Sequence, residues 1–151
     1  VRALGVLGAV EAVVALTAFV VSFAAQGWRP GGPFPAGAAL LAASGAAFTA
    51  IVLGQAANAF ACRSAVRPEW SVDPRTNPAL IVAVLIELML LGVMLYVGPV
   101  AHLLGHSGPS LAGFLTAAIA IPAVLSADAL HKCFRRHQMG PPALARRRGA
   151  G

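Results

Sequence analysis

The chain has 151 residues, of which 58% are hydrophobic and only 11% are charged. Its mean hydropathy of +0.79 excludes an ordinary soluble domain, because such a domain needs a polar surface that faces water. Charge is scarcest at the beginning, where Arg2, Glu11 and Arg29 are the charged residues among the first 62. Intrinsic disorder is excluded on the same grounds, since disordered segments are poor in apolar residues.

Four long apolar runs predict four transmembrane helices. Each run has roughly 20 to 25 residues, and a helix of that length crosses a hydrocarbon core of about 30 Å. A cleaved signal peptide is the alternative for the first run, but that run is too long and contains Glu11. We therefore predict an all-α membrane bundle with helices at about 3–25, 37–61, 79–100 and 111–135.

Basic residues are unequally distributed between the two sides that alternating spans define. All of the 11 lysines and arginines except Arg29 lie at the amino terminus, in the 62–78 loop or beyond the fourth span. Because such residues accumulate on the cytoplasmic side, both termini are predicted to be cytoplasmic in a multi-pass protein of the cell membrane. Most of the net charge of +6 reflects this asymmetry. It indicates attraction to anionic lipid and no nucleic-acid partner.

Two prolines predict features of the later helices. Pro78 after Asn77 predicts the start of the third helix, with asparagine as the N-cap and proline in the first turn. Pro122 predicts a kink in the fourth helix, because it removes a backbone hydrogen bond. Residues 137–151 are predicted to form a basic, disordered cytoplasmic tail.

The predicted cytoplasmic ends of the helices carry two thiols and a charged pair. Cys62 and Cys133 are predicted to be free, because two cysteines on the reducing side of a membrane fit neither a disulfide framework nor a metal finger. Asp128 and Lys132 stand four residues apart, where an anchoring ion pair is predicted.

The second predicted helix carries a ridge of small residues at a spacing of four. The ridge consists of Ala38, Ala42, Ala46, Ala50, Gly54, Asn58 and Cys62. Small residues at this spacing let another helix approach closely in lipid. This helix is therefore predicted to be central to the bundle.

Two amides and two carboxyl groups are predicted to lie deep in the spans. Gln55 lies beside the ridge and Asn58 within it, three residues further on. The two amides either form hydrogen bonds between helices or coordinate a passing cation through their oxygens. Glu11 and Glu87 are the deep ionisable groups. Each is predicted to be protonated, paired within the bundle, or part of an ion or proton path.

The sequence contains no motif for nucleotide chemistry. Neither a G-x-x-x-x-G-K-[ST] phosphate loop nor an Asp-Lys-Thr-Gly phosphorylation motif occurs. No arrangement of Ser, His and Asp or of Cys and His indicates nucleophilic catalysis. The chain alone is therefore predicted to have no catalytic residue, no cofactor and no enzymatic activity.

Several short motifs follow one another in a specific order. They are the runs Gln55–Ser64, Leu95–Pro99 and Asp128–Lys132, together with Asn77, Leu111, Arg135 and Arg136. In this order they resemble the carboxy-terminal membrane domain of type II cation-transporting P-type ATPases, with its seventh to tenth membrane helices. The eighth helix of that family carries a polar pair onto which Gln55 and Asn58 fall. Calcium pumps have glutamate at the first position, and sodium pumps have Gln and Asp, whereas this chain has two neutral amides.

The resemblance implies a role and partners for the chain. Residues 1–136 would be a supporting membrane domain of an ATP-driven cation transporter, as a fragment or as one piece of a split pump. The implied partners are the lipid bilayer, the remaining amino-terminal part of the ATPase and the transported cation. ATP and magnesium would be cofactors of that parent, which would be the enzyme.

Two other functions fit the same four helices. One is a self-contained membrane protein with a structural or assembly role. The other is a small proton-coupled secondary transporter, in which Glu11 and Glu87 would carry protons.

Overall fold

The protein is described here by a computed structural model that covers the backbone of residues 2–62 and 77–139, and the side chains of residues 5–62 and 77–134. The regular secondary structure of these residues is helical, which confirms the predicted all-α class. It consists of six segments, α1 (Arg2–Ala25), α2 (Ala38–Ala61), α3 (Pro78–Tyr96), α4 (Gly98–Leu104), α5 (Leu111–Ala118) and α6 (Ala120–Met139).

Four stretches of these helices are long and apolar enough to cross a membrane. They are Gly5–Ala25, Ala38–Ala61, Pro78–Tyr96 and Leu111–Phe134. The predicted multi-pass membrane protein is thereby confirmed, while the side on which the termini lie stays a prediction. The arginines of the 62–78 loop lie outside the described residues, as does the predicted tail from residue 140 onward. Residues 137–139 are predicted to be disordered, but they are the last residues of α6.

Helix α2 is the centre of the bundle, as its small residues predict. It contacts α1, α3, α5 and α6. Its ridge is buried in the middle and exposed at Ala38 and Cys62. The middle packs in a cluster of buried alanines that joins three helices, namely Ala15 and Ala18 of α1, Ala46 and Ala50 of α2, and Ala117 of α5. Because alanine side chains are small, they allow the close approach of helices that stabilises bundles in lipid.

Helix α3 is peripheral. Its buried residues are Leu91 and Leu95, both in its second half. Most of its other side chains are exposed apolar groups, which suit a lipid environment. The helix is thus attached to the bundle mainly near the end where it leads into α4.

The fourth span is interrupted between α5 and α6. The backbone N–H of Ile119 donates to the carbonyl oxygen of Thr116 at 3.1 Å, which is a tightened turn, and helix resumes at Ala120. Pro122 lies in the first turn of α6 and has no N–H for the preceding turn. The interruption thus lies within one turn of Pro122, where the sequence predicts a kink.

The loop between α4 and α5 is fixed against α2. The Ser107 N–H donates to the carbonyl oxygen of Leu41 at 3.1 Å. The Ser107 carbonyl oxygen lies so close to Gly45 that a Cβ atom there would overlap it. The imidazole ring of His106 stacks on Phe48, with ring centroids 4.9 Å apart. These contacts hold the loop at the first turns of α2.

Asn77 is the N-cap of α3, as predicted. Its side chain accepts a hydrogen bond from the Leu80 N–H at 3.2 Å, and Pro78 occupies the first helical turn. We expect Asn77→Ala to lower the free energy of unfolding by about 1 kcal/mol, because one N–H at the helix start loses its partner. The measurement is unfolding by dodecyl sulfate in mixed micelles, followed by circular dichroism.

Asn77→Ser is the matched control for this prediction. Serine also accepts a hydrogen bond at the N-cap, so this variant should stay close to the original stability. Equal unfolding curves for the alanine and serine variants would show that the cap contributes nothing.

Candidate functional site

Glu11 of α1 and Gln55 of α2 meet inside the membrane-spanning part of the bundle. The Gln55 Nε2 atom donates a hydrogen bond to Glu11 Oε2 at 2.9 Å. Gln55 precedes Ala61, the last residue of α2, by six positions, so the contact lies about 9 Å along the helix axis from that end. Because polar groups in hydrocarbon are costly without partners, the hydrogen bond stabilises the approach of α1 to α2.

Gly54 provides the space for the Glu11 side chain. A Cβ atom at position 54 would lie 2.6 Å from both Cγ and Oε1 of Glu11. The sequence places Gly54 in the ridge that predicts helix packing. The structure shows that a carboxyl group fills the gap beside it. A ridge of small residues does not indicate which neighbour will occupy it, so this role of Gly54 was missed.

The two carboxyl oxygens of Glu11 have different surroundings. Oε2 accepts the hydrogen bond from Gln55, whereas Oε1 is buried and has no hydrogen-bond partner among the described residues. The Glu11 side chain as a whole is half-buried, and Gln55 is exposed on the surface of the bundle. The contact therefore lies at the edge of the described helices.

Asn58 has a different partner from Gln55. Its Oδ1 atom accepts a hydrogen bond from the Cys62 thiol at 3.6 Å. Asn58 is half-buried, and both Cys62 and Cys133 are exposed free cysteines. The structure thus joins Glu11 to Gln55, while the hydrogen bond of Asn58 is made one turn further along α2.

Glu87 lies on a different helix, in a groove between α2 and α3. The other residues that line this groove are apolar, namely Phe48, Val52, Ala83, Ile86, Leu90, Leu91 and Met94. The structure does not bring Glu87 into the Glu11–Gln55 contact. A role for Glu87 in an ion or proton path stays a prediction.

A buried ion pair holds the end of α2 next to this site. The Lys132 ammonium pairs with the Asp128 carboxylate, as predicted, and also donates to the carbonyl oxygen of Ala61 at 2.7 Å. Asp128 is 8% exposed and Lys132 is 5% exposed. A cation suits the carbonyl end of a helix, where the helix dipole is negative. The contact with Ala61 was not predicted, because a free backbone carbonyl leaves no mark in the sequence.

The described residues offer oxygen ligands but no complete metal centre. They include no group of three or more His, Cys, Asp and Glu side chains that could hold a metal ion. Glu11 and Gln55 together offer a carboxylate and an amide oxygen, which are ligands that hard cations prefer. Any further ligands would have to come from outside this pair.

Comparison with known protein families gives one informative match. The family model described as "Cation transporting ATPase, C-terminus" matches residues 1–134, a range that includes all four apolar spans. Comparisons with curated proteins and with solved structures give no significant match. The central small-residue helix, the four spans and this match agree, and the chain belongs to the family of C-terminal membrane regions of cation-transporting P-type ATPases.

Proposed function

We propose that this chain is the supporting membrane part of an ATP-driven cation transporter, and that Gln55 and Asn58 contact the ion pathway. Membership of the family supports the first part of the proposal. ATP hydrolysis, with its ATP and magnesium, belongs to other domains of the transporter. The proposed partners are the remaining part of the ATPase, the lipid bilayer and the transported cation.

The hydrogen bond between Gln55 and Glu11 is the observation that carries the ion-pathway part. The Gln55 amide is exposed at the surface of the four-span bundle, although it lies deep within a membrane-spanning helix. An amide directed toward lipid is costly, so we propose that other helices of the transporter cover this edge. A cation that passes between them would meet the oxygens of Gln55 and Asn58.

The test is the double substitution Gln55→Leu with Asn58→Leu in the transporter that carries this domain. We expect the apparent affinity for the transported cation to fall about tenfold or more, which corresponds to about 1.4 kcal/mol of lost ligand binding. The measurement is ATP-driven cation uptake into membrane vesicles over a range of cation concentrations. Uptake is normalised to the amount of transporter.

Thr17→Val is the matched control. It also replaces a polar side chain within a span, but the Thr17 hydroxyl donates to the Val13 carbonyl oxygen of its own helix at 2.7 Å. The control should transport with unchanged affinity. If the double variant also keeps its affinity at equal transporter amounts, Gln55 and Asn58 do not contact the ion.

A further inference from the structure

The two amides of the proposed pathway carry no charge. A cation that leaves water for the interior of a membrane protein is strongly stabilised by a nearby negative charge, because the interior screens charge poorly. Gln55 and Asn58 supply only dipoles. A carboxylate from another position would therefore strengthen cation binding in a pathway that contains these two residues.

Only one of the described carboxyl groups lies where it could bind a cation together with Gln55. Asp128 is neutralised by its ion pair with Lys132. Glu87 lies in the apolar groove between α2 and α3. Among the described acidic residues, Glu11 alone lies within hydrogen-bond distance of Gln55.

The surroundings of Glu11 suit a ligand-binding carboxylate. Gln55 fixes the orientation of Oε2, and the missing side chain of Gly54 leaves room for the carboxyl group. Oε1 is buried without a hydrogen-bond partner among the described residues. Such an atom costs free energy until a proton or a cation satisfies it.

We infer that Glu11 is the charged cation ligand of this pathway, with Gln55 as its orienting partner and Gly54 as the gap that admits it. The inference rests on the proposed function. The ligand is a cation that prefers oxygen donors, and it competes with a proton for the carboxyl group. The acidic ligand is thereby contributed by α1, while α2 contributes neutral oxygens.

The direct test is protection of Glu11 from a hydrophobic carbodiimide. This reagent forms an adduct with protonated carboxyl groups, and a bound cation excludes the proton. Membranes that contain the intact transporter are labelled without added cation and with sodium, potassium, magnesium, calcium or manganese chloride. Mass spectrometry then measures the adduct separately at Glu11 and at Glu87.

We expect one of these cations to protect Glu11 selectively. At ten times its half-saturating concentration, it should reduce labelling of Glu11 about tenfold, while labelling of Glu87 stays unchanged. The inference is overturned if none of the five cations protects Glu11. It is also overturned if Glu11 and Glu87 are protected equally.

Two substitutions connect this labelling to transport. Glu11→Gln removes the charge, and Gly54→Ala fills the gap beside the carboxyl group. Both should lower the apparent cation affinity about tenfold or more, whereas Gly92→Ala, at a position with open space around it, should not change it. If Gln55→Leu with Asn58→Leu lowers the affinity and these two substitutions do not, the inference about Glu11 fails while the proposed function stands.

Discussion

Gly45→Ala is expected to lower the free energy of unfolding by about 1–3 kcal/mol, as overpacking of a closely packed contact does. The new Cβ atom would overlap the backbone carbonyl oxygen of Ser107, which cannot turn away as a side chain can. The Ser107 N–H is also held by Leu41, so the loop would have to move as a unit. Unfolding by dodecyl sulfate in mixed micelles, followed by circular dichroism, measures the change.

Gly92→Ala is the control for this prediction. Nothing lies within 4 Å of a Cβ atom placed at Gly92. Because alanine favours helix over glycine by about 1 kcal/mol, this variant should be as stable as the original chain or more stable. Gly45→Ala should therefore lower the free energy of unfolding, whereas Gly92→Ala should not. A gain in stability for Gly45→Ala would show that the loop does not rest on α2.

Lys132→Met is expected to lower the free energy of unfolding by about 3–5 kcal/mol. The substitution removes the partner of the buried Asp128 carboxylate and the hydrogen bond to the Ala61 carbonyl oxygen. An unpaired buried charge lowers the free energy of unfolding by more than the loss of the contact does. The effect is measured by the same unfolding titration, at a pH at which carboxylates are ionised.

A second substitution separates the destabilisation caused by the unpaired charge from that caused by the lost contacts. Asp128→Asn added to Lys132→Met removes the charge that the single substitution leaves, so it should recover part of the stability. The remaining loss then reports the missing ion pair together with the hydrogen bond that Lys132 donates to Ala61. If the single variant unfolds like the original chain, the ion pair does not stabilise the bundle.

Much of the fold could be predicted because helix formation in lipid leaves clear signals along the chain. The length of the apolar runs predicts the four spans. Within lipid each run must be helical, because a helix satisfies the backbone hydrogen bonds of its own segment. Asn77 and Pro122 mark a helix start and a break through local chemistry that needs no knowledge of neighbours. The ridge through Ala46 and Ala50 predicts a central helix because small residues are what close packing in lipid requires.

The candidate site could be predicted only in part. Glu11 and Gln55 stand out individually, because polar side chains are rare in apolar spans. Their pairing depends on the rotation and axial shift of α1 against α2, and no spacing within one helix determines these. For the same reason the sequence does not show that Gly54 faces a carboxyl group, or that Lys132 reaches Ala61 across the bundle.

The uneven attachment of α3 has a consequence for how the domain responds to its bilayer. Leu91 and Leu95 fasten this helix near one end, so the opposite end, which begins at Pro78, has few neighbours among the described residues to restrain it. When the bilayer becomes thinner or thicker, the helices that are least restrained by packing change their tilt to match it. We therefore expect α3 to change its inclination with lipid chain length, while α1 and α2 keep theirs and leave the geometry around Gly54 undisturbed.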